Sequence, residues 1–373
     1  MRRASLSLVV VAACAILPAT ANGATAQQAI AALNQQRTGH GIPAAIVENR
    51  EWSRRCALHV NWMIQNNTLA HEEAPGSPGY TEDGNWAGTH SVLAAGTPGF
   101  TKPSRNPYLN APYHLGQLLD PRLKQMGVAE KQGWDCETTF PGYTRLHPVA
   151  DHLYSYPGPA KSVAWLQDAR EGPSTPGDAV GLPQGTVTGP NLIVFWDGPQ
   201  KPAPLTDIRS ASLRRPDGSR VDVRVVDQRN GGAIGGSGFI IPVKPLRPGK
   251  EYTGRVTWGS QFTARTFTKS WTFKTDRLRT GKAAVSIGVK RGANDRLEVT
   301  ADPHDRAYLG RKAKLIADYG QFDFDVDMRI GQTTAIVPAP AKGKTLKLTL
   351  RVASFKAGST KTKAFRVSRT VKG

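Results

Sequence analysis

Asn191-Leu192-Ile193-Val194-Phe195-Trp196, closed by Asp197-Gly198-Pro199, is the stretch on which the fold turns. The run is too short for a buried helix, is rich in β-branched and aromatic residues, and stops at a turn signal, so it reads as a strand. The same grammar continues downstream. A segment from about Ser212 to Val226 carries a turn at Pro216-Asp217-Gly218, and Leu246-Arg247-Pro248-Gly249-Lys250 leads into Tyr252 to Trp258. Ser270 to Thr275 follows, with Trp271 and Phe273 on one alternating face. Short strands separated by turn residues specify a small β-sandwich.

The remaining carboxyl-terminal segment repeats the style. Ala283 to Val289, Leu297 to Ala301, Ala313 to Ala317, Phe322 to Ile330, Thr345 to Val352 and Thr362 to Val367 are the strand candidates. The sequence therefore predicts two all-β sandwich modules of immunoglobulin or fibronectin type, at 184–278 and 279–373. Within the second, Lys342 to Lys363 combines basic residues with strand alternation, which places the charge on an edge or face of a sheet.

Toward the amino end the periodicity changes to that of helices. Gln28 to Gln35 carries Ile30 and Leu33, while Trp52, Cys56, His59 and Met63 recur at three- and four-residue intervals. Pro112 to Leu119 gives a third helix, and Lys161 to Arg170 a fourth, stopped by Gly172-Pro173. Between Glu72 and Pro107 the richness in Gly, Pro, Ser and Asn predicts long loops. Residues 1–26 read as a secretory signal: Arg2 and Arg3 precede the apolar run Leu6 to Ile16, and Ala24-Thr25-Ala26 is a small-residue cleavage site. Val11-Ala12-Ala13-Cys14 offers a second form of export, with Cys14 as a lipidated residue. No later run is long and apolar enough to cross a bilayer. The expected location is secreted, extracellular or envelope-associated.

The chain of 373 residues carries a formal charge of +20, and its 39% hydrophobic content excludes a wholly disordered tail. Charge is unevenly placed. Residues 27–200 hold 12 Lys or Arg against 15 Asp or Glu, whereas 201–373 hold 35 against 14. A total of three cysteines excludes a cysteine-stapled miniature fold. After removal of the leader, Cys56 and Cys136 remain in a compartment where disulfides persist, and a bridge between them is expected.

Several separated segments of the first half carry a resemblance. Leu33-Asn34-Gln35-Gln36-Arg37, Trp52 with Ala57-Leu58-His59 and Met63, Leu69-Ala70-His71, and His114 followed by Leu119-Asp120-Pro121-Arg122-Leu123 and Met126-Gly127-Val128 occur in an order and spacing similar to the bacterial branch of the CAP superfamily. That superfamily comprises the cysteine-rich secretory, antigen 5 and pathogenesis-related proteins. The resemblance spans 27–183 and implies an α-β-α sandwich, hence an α/β first domain ahead of the two β modules. It also implies a cleft floored by two His and two Glu that hold a divalent metal in some members. His71 and His114 match the two histidines. The acidic position near Gly88-Thr89-His90-Ser91-Val92 is held by Thr89 or His90, and no second Glu is evident between Thr101 and His114. His90 and Glu72 are the candidates to complete the set, and zinc is the cation such nitrogen donors favour. The alternative is that His71 and His114 simply hydrogen-bond at a helix-loop junction.

Other motifs are weaker. His147 and His152 near Asp151 are separated by Pro148, which argues against a shared helical face. Gly231-Gly232 and Gly235-Gly236 lack the Gly-Lys-Ser/Thr and helix start of a phosphate loop. Gly-x-Ser-x-Gly is absent, so an ordinary hydrolase is disfavoured. Asn66-Asn67-Thr68 is a glycosylation acceptor in hosts that use it. The leading expectation is a secreted, non-enzymatic CAP-like protein binding a small apolar ligand, an envelope component or a protein. The alternative is a metal-assisted hydrolase of peptide or cell-wall bonds acting through His71 and His114. The basic half suits either an anionic envelope polymer or ordinary solvated faces, and no aromatic series suggests specific nucleic-acid binding.

Overall fold

The computed structural model describes residues 24–97, 99–144, 150–198, 206–230, 237–260, 265–292, 294–308, 311–331 and 334–373. Residues 1–23, including Cys14, lie outside them, as do His147, Pro148 and Gly231 to Gly236.

The first helix, α1 (Ala26–Gly39), begins with a reciprocal cap: the Thr25 hydroxyl accepts the Gln28 N–H, and the Gln28 side chain accepts the Thr25 N–H. Ala24 to Ala26, which the sequence reading assigns to the leader, therefore belong to the folded domain. Next come β1 (Val47–Glu48), α2 (Arg50–Asn66), α3 (Glu82–Thr89), β2 (Ser91–Ala95), α4 (Pro112–Leu119), β3 (Gln125–Lys131) and β4 (Trp134–Thr138). The four strands form one sheet in the order β1-β3-β4-β2, in which only the β1/β3 pairing is parallel. Asn49 caps α2 by accepting the Trp52 N–H, and Asn67 ends it in the left-handed conformation.

Each face of this sheet meets helices. Cys56, Val60 and Met63 of α2 share a core with Ala87, Leu93 and Cys136. Gly127 allows the approach, since a Cβ there would collide with the backbone of Trp52. The Cys56–Cys136 disulfide ties α2 to the central strand β4, with Cα atoms 5.5 Å apart. On the opposite face, Ile30 and Leu33 of α1 and Leu118 and Leu119 of α4 pack with Val92, Met126 and Val128.

The β region starts earlier than expected. β5 (His152–Tyr156) and β6 (Ser162–Val163) already belong to the sandwich, some thirty residues ahead of the boundary at 184, and Lys161 to Arg170 is not a helix but holds β6 and β7 (Gln167–Asp168). Val163, Trp165 and Leu166 are buried there at irregular spacing, so the apolar residues that suggested a helix anchor a linking segment instead. β7 pairs with β8 (Val187–Thr188) in a short ribbon. Then follow β9 (Leu192–Asp197), β10 (Thr206–Arg214), β11 (Arg220–Val221), β12 (Val223–Val226), β13 (Ser237–Pro242), β14 (Glu251–Ser260) and β15 (Thr266–Thr275). They form two sheets, β12-β13-β9-β5 and β11-β10-β14-β15-β6.

Strand β9, the run Leu192 to Trp196, is buried on both faces. Val194 lies opposite Gly238, which packs on Ile208 of the other sheet, so this face points into the sandwich. Ile193 lies opposite Phe239, and these two meet α4 at Gly116, with Tyr113 edge-on to Phe239 at 5.3 Å. The outer face of the sandwich is thus covered by the first domain, which is why the strand is apolar throughout rather than alternating.

The last module contains β16 (Val285–Arg291), β17 (Arg296–Pro303), β18 (Lys312–Asp318), β19 (Asp323–Arg329), β20 (Thr334–Pro338), β21 (Thr345–Val352), the ribbon β22 (Lys356–Ala357) and β23 (Thr360–Lys361), and β24 (Phe365–Lys372). Its sheets are β16-β17-β20 and β19-β18-β21-β24. β20 is absent from the sequence reading, and β24 runs five residues beyond the expected end at Val367. Trp165 and Leu166 from the earlier linking segment complete this second core.

Candidate functional site

The histidines divide by position rather than converge. His59 lies fully buried on the inner face of α2, with Nδ1 3.0 Å from Glu73 Oε1 and Nε2 3.0 Å from the Ala70 carbonyl. Both nitrogens face oxygens, so the buried ring is hydrogen-bonded at each end. Burial pushes the His59 pKa down and Glu73 acts against that shift. Glu73 Oε2 also accepts the Thr81 N–H at 2.9 Å. Of the adjacent pair, it is therefore Glu73 that turns inward while Glu72 is exposed. The sequence reading named Glu72 beside His71; the structure leaves Glu72 exposed and buries Glu73, which pairs with His59. His59, read there as part of an apolar helical face and of the family-like segments but not as a site residue, is the partner it missed.

His71 donates from Nδ1 to the Gly88 carbonyl at 2.8 Å. Gly88 is itself hemmed in, since a Cβ would meet the His71 carbonyl and the His59 ring. A side chain at this position has no room. His90 donates from Nδ1 to the Trp86 carbonyl at 2.7 Å and stacks on the Trp86 ring at 4.6 Å. His114, in α4, faces Glu171: Nδ1 stands 2.7 Å from Oε2. Glu171 also accepts the backbone N–H groups of Tyr113 and His114, so a single carboxylate from the linking segment closes the start of α4, where Ala111 supplies no side-chain cap. Spacing could not reveal this pairing, because Glu171 is 57 residues from His114.

Each of His71, His90 and His114 therefore spends Nδ1 on a local acceptor. This tautomer leaves Nε2 as the nitrogen able to take a ligand. Among the described residues no three His, Cys, Asp or Glu side chains are grouped to hold a metal ion. His152 stacks on Tyr154, and Asp151 accepts from the Trp196 indole.

An open cleft of about 490 Å³ lies beside His90, lined by Trp86, Thr89, His90, Phe140 and Pro141. Its two walls are joined through one carbonyl: His90 O accepts the N–H groups of Thr139 and Phe140. Phe140 is 52% exposed at the rim. Arg55 sits over the Trp86 ring at 4.6 Å, which adds a cation next to the aromatic wall. This is a surface for stacking and apolar contact, with one imidazole and one hydroxyl for orientation.

Charge on the second half is patterned as well. The outer face of the last four-stranded sheet carries Lys312 and Lys314 on β18, Lys347 and Arg351 on β21, and Arg366 and Lys372 on β24. Its β19 edge instead presents Asp323, Asp325 and Asp327, and Asp325 pairs with Lys314. The face is basic over three strands and acidic along one edge.

No protein-family model and no curated protein matches the chain. Among solved structures it is similar to a two-domain fibronectin type-III segment from chicken tenascin, with 12% identity, 49% of this chain and 92% of that one covered, and a TM-score of 0.20. Chicken CNTN1 FN1-FN3 domains match with 10% identity over 48% of this chain and 60% of that one, at a TM-score of 0.19. The extracellular region of rat CD45, domains d3-d4, matches with 18% identity over 35% and 67%, at 0.18. The sandwich architecture rests on the strand pairing itself.

Proposed function

We propose that the protein is an exported, non-enzymatic binding protein of CAP-like type, whose Trp86-His90-Phe140 cleft takes an apolar or ring-bearing ligand of the cell envelope or a protein side chain of that chemistry. The observation that carries the reading is the exposed aromatic lining of the cleft, with the His90 imidazole in its wall and its Nδ1 committed to the Trp86 carbonyl. Support for the CAP-like assignment comes from the order of the segments ending at His71 and His114. The basic strands of the last sheet supply attachment to an anionic envelope polymer.

Titration with 1-anilinonaphthalene-8-sulfonate tests the cleft. Saturable binding is expected, weakened about tenfold or more by Trp86→Ala and by Phe140→Ser, since each removes a large aromatic contact. Binding unchanged in both variants would remove the cleft from the function. The hydrolase alternative gains instead if the purified chain holds one zinc ion that is lost on His71→Ala and His114→Ala.

A further inference from the structure

We propose that the mature chain begins at Ala24, by hydrolysis of the Gly23–Ala24 peptide bond, and that the α-ammonium group so formed pairs with Glu130. The inference rests on the export reading above and fixes where the leader ends. Water adds to the Gly23 carbonyl carbon, the C–N bond breaks, Gly23 departs as a carboxylate, and the Ala24 nitrogen takes up a proton. An export peptidase performs the step on the unfolded chain.

The folded domain shows which residues it uses. Ala24 is 6% exposed and part of the main core. Its backbone nitrogen lies 3.1 Å from Glu130 Oε2, which also accepts the Phe100 N–H at 3.0 Å, while Glu130 Oε1 accepts the Thr97 hydroxyl. A carboxylate on β3 thus gathers Ala24 and the loop that follows β2. Thr25 supplies the cap of α1.

A cut after Ala26, at the Ala24-Thr25-Ala26 site, would delete the core residue, the cap and the partner of Glu130 together. A cut after Gly23 keeps all three. It also satisfies the small-residue requirement, with Ala21 and Gly23 at the third and first positions before the bond. Charge agrees with this choice. A new ammonium near the positive end of a helix is unfavourable, and α1 has no acidic residue in its first turn. Glu130 provides the compensating charge from another element, and a charged donor strengthens the existing hydrogen bond.

The test is export of the full chain from its own leader in a bacterial host, followed by intact mass and amino-terminal sequencing. Ala-Thr-Ala-Gln-Gln as the first residues is the expected result. A start at Gln27 overturns the inference while leaving export intact; an uncut Met1 or a lipidated Cys14 overturns it and the soluble-export reading together. A second measurement compares chains starting at Ala24 and at Gln27 in urea. The shorter chain is expected to unfold with an equilibrium constant about tenfold higher, the size of a lost cap and a lost ion pair. Equal stability would show that Ala24 and Thr25 are dispensable and overturn the placement.

Discussion

Glu137 and Asp135 stand fully buried on the central strand β4, on the face opposite Cys136. Tyr108 donates its hydroxyl to Asp135 at 2.5 Å, whereas neither oxygen of Glu137 has a hydrogen-bond partner among the described residues. Burial, reinforced by Asp135 and Glu130, holds Glu137 well above the ordinary carboxylate range. The folded chain therefore keeps a proton that the unfolded chain releases above about pH 4.3, so this contribution to stability is complete below that pH and is lost as pH rises toward the native pKa. Glu137→Gln should raise the melting temperature by a few degrees at pH 8 and by less at pH 5; equal gains at both would contradict a protonated Glu137. His40 acts in the other direction. Burial and Lys161 lower its pKa to about 4, and its Nδ1 accepts the Gly158 N–H, so its contribution fades as pH falls from about 6.5 to 4. The difference between variant and parent at each pH isolates Glu137 from that opposing trend.

At the scale of elements, α4 depends on a partner far from it in sequence. Glu171→Ala leaves the Tyr113 and His114 N–H groups and the His114 ring without their acceptor. A loss of roughly 1–3 kcal/mol is expected in urea denaturation, partly restored by Glu171→Gln, which retains an acceptor oxygen. No recovery with Gln would assign the effect to charge rather than capping. Elements of this kind mark the limit of sequence reading. Pro112 to Leu119 was legible to the residue because Pro opens it and its apolar face repeats, and the Cys56–Cys136 bridge was legible from compartment and number. Glu171, Glu73 and β5 were not, because a carboxylate's inward turn and a strand's partner depend on chain segments that meet only in the fold. Lys161 to Arg170 misled for a related reason: Val163, Trp165 and Leu166 are buried by linking modules, not by one helical face.

Across the whole molecule, the first domain and the first sandwich share one core. Ile193 and Phe239 are buried where they meet the half-buried Tyr113 at the α4 boundary, and fully burying an Ile or Phe side chain contributes about 1.5–3 kcal/mol. Calorimetry should therefore show the first domain and first sandwich melting in a single transition, with Phe239→Ala lowering that transition by the roughly 3–5 kcal/mol usual for an aromatic truncation in a core. Two separated transitions in the parent chain would refute the joint core. Part of the uneven charge that the sequence displayed also takes a location here: Lys312, Lys314, Lys347, Arg351, Arg366 and Lys372 share one face of the last four-stranded sheet, while the rest is spread over both β modules.

The covered outer face of β9 has a consequence for the order in which the chain matures. Synthesis proceeds from the amino end, so α4 is complete well before the strand that will cover it has emerged. During that interval its contact surface is open, and the later sheet must assemble against a template already in place. Reversing the order of the modules, or producing the sandwich without the first domain, would leave Ile193 and Phe239 facing water and turn a buried seam into a sticky one.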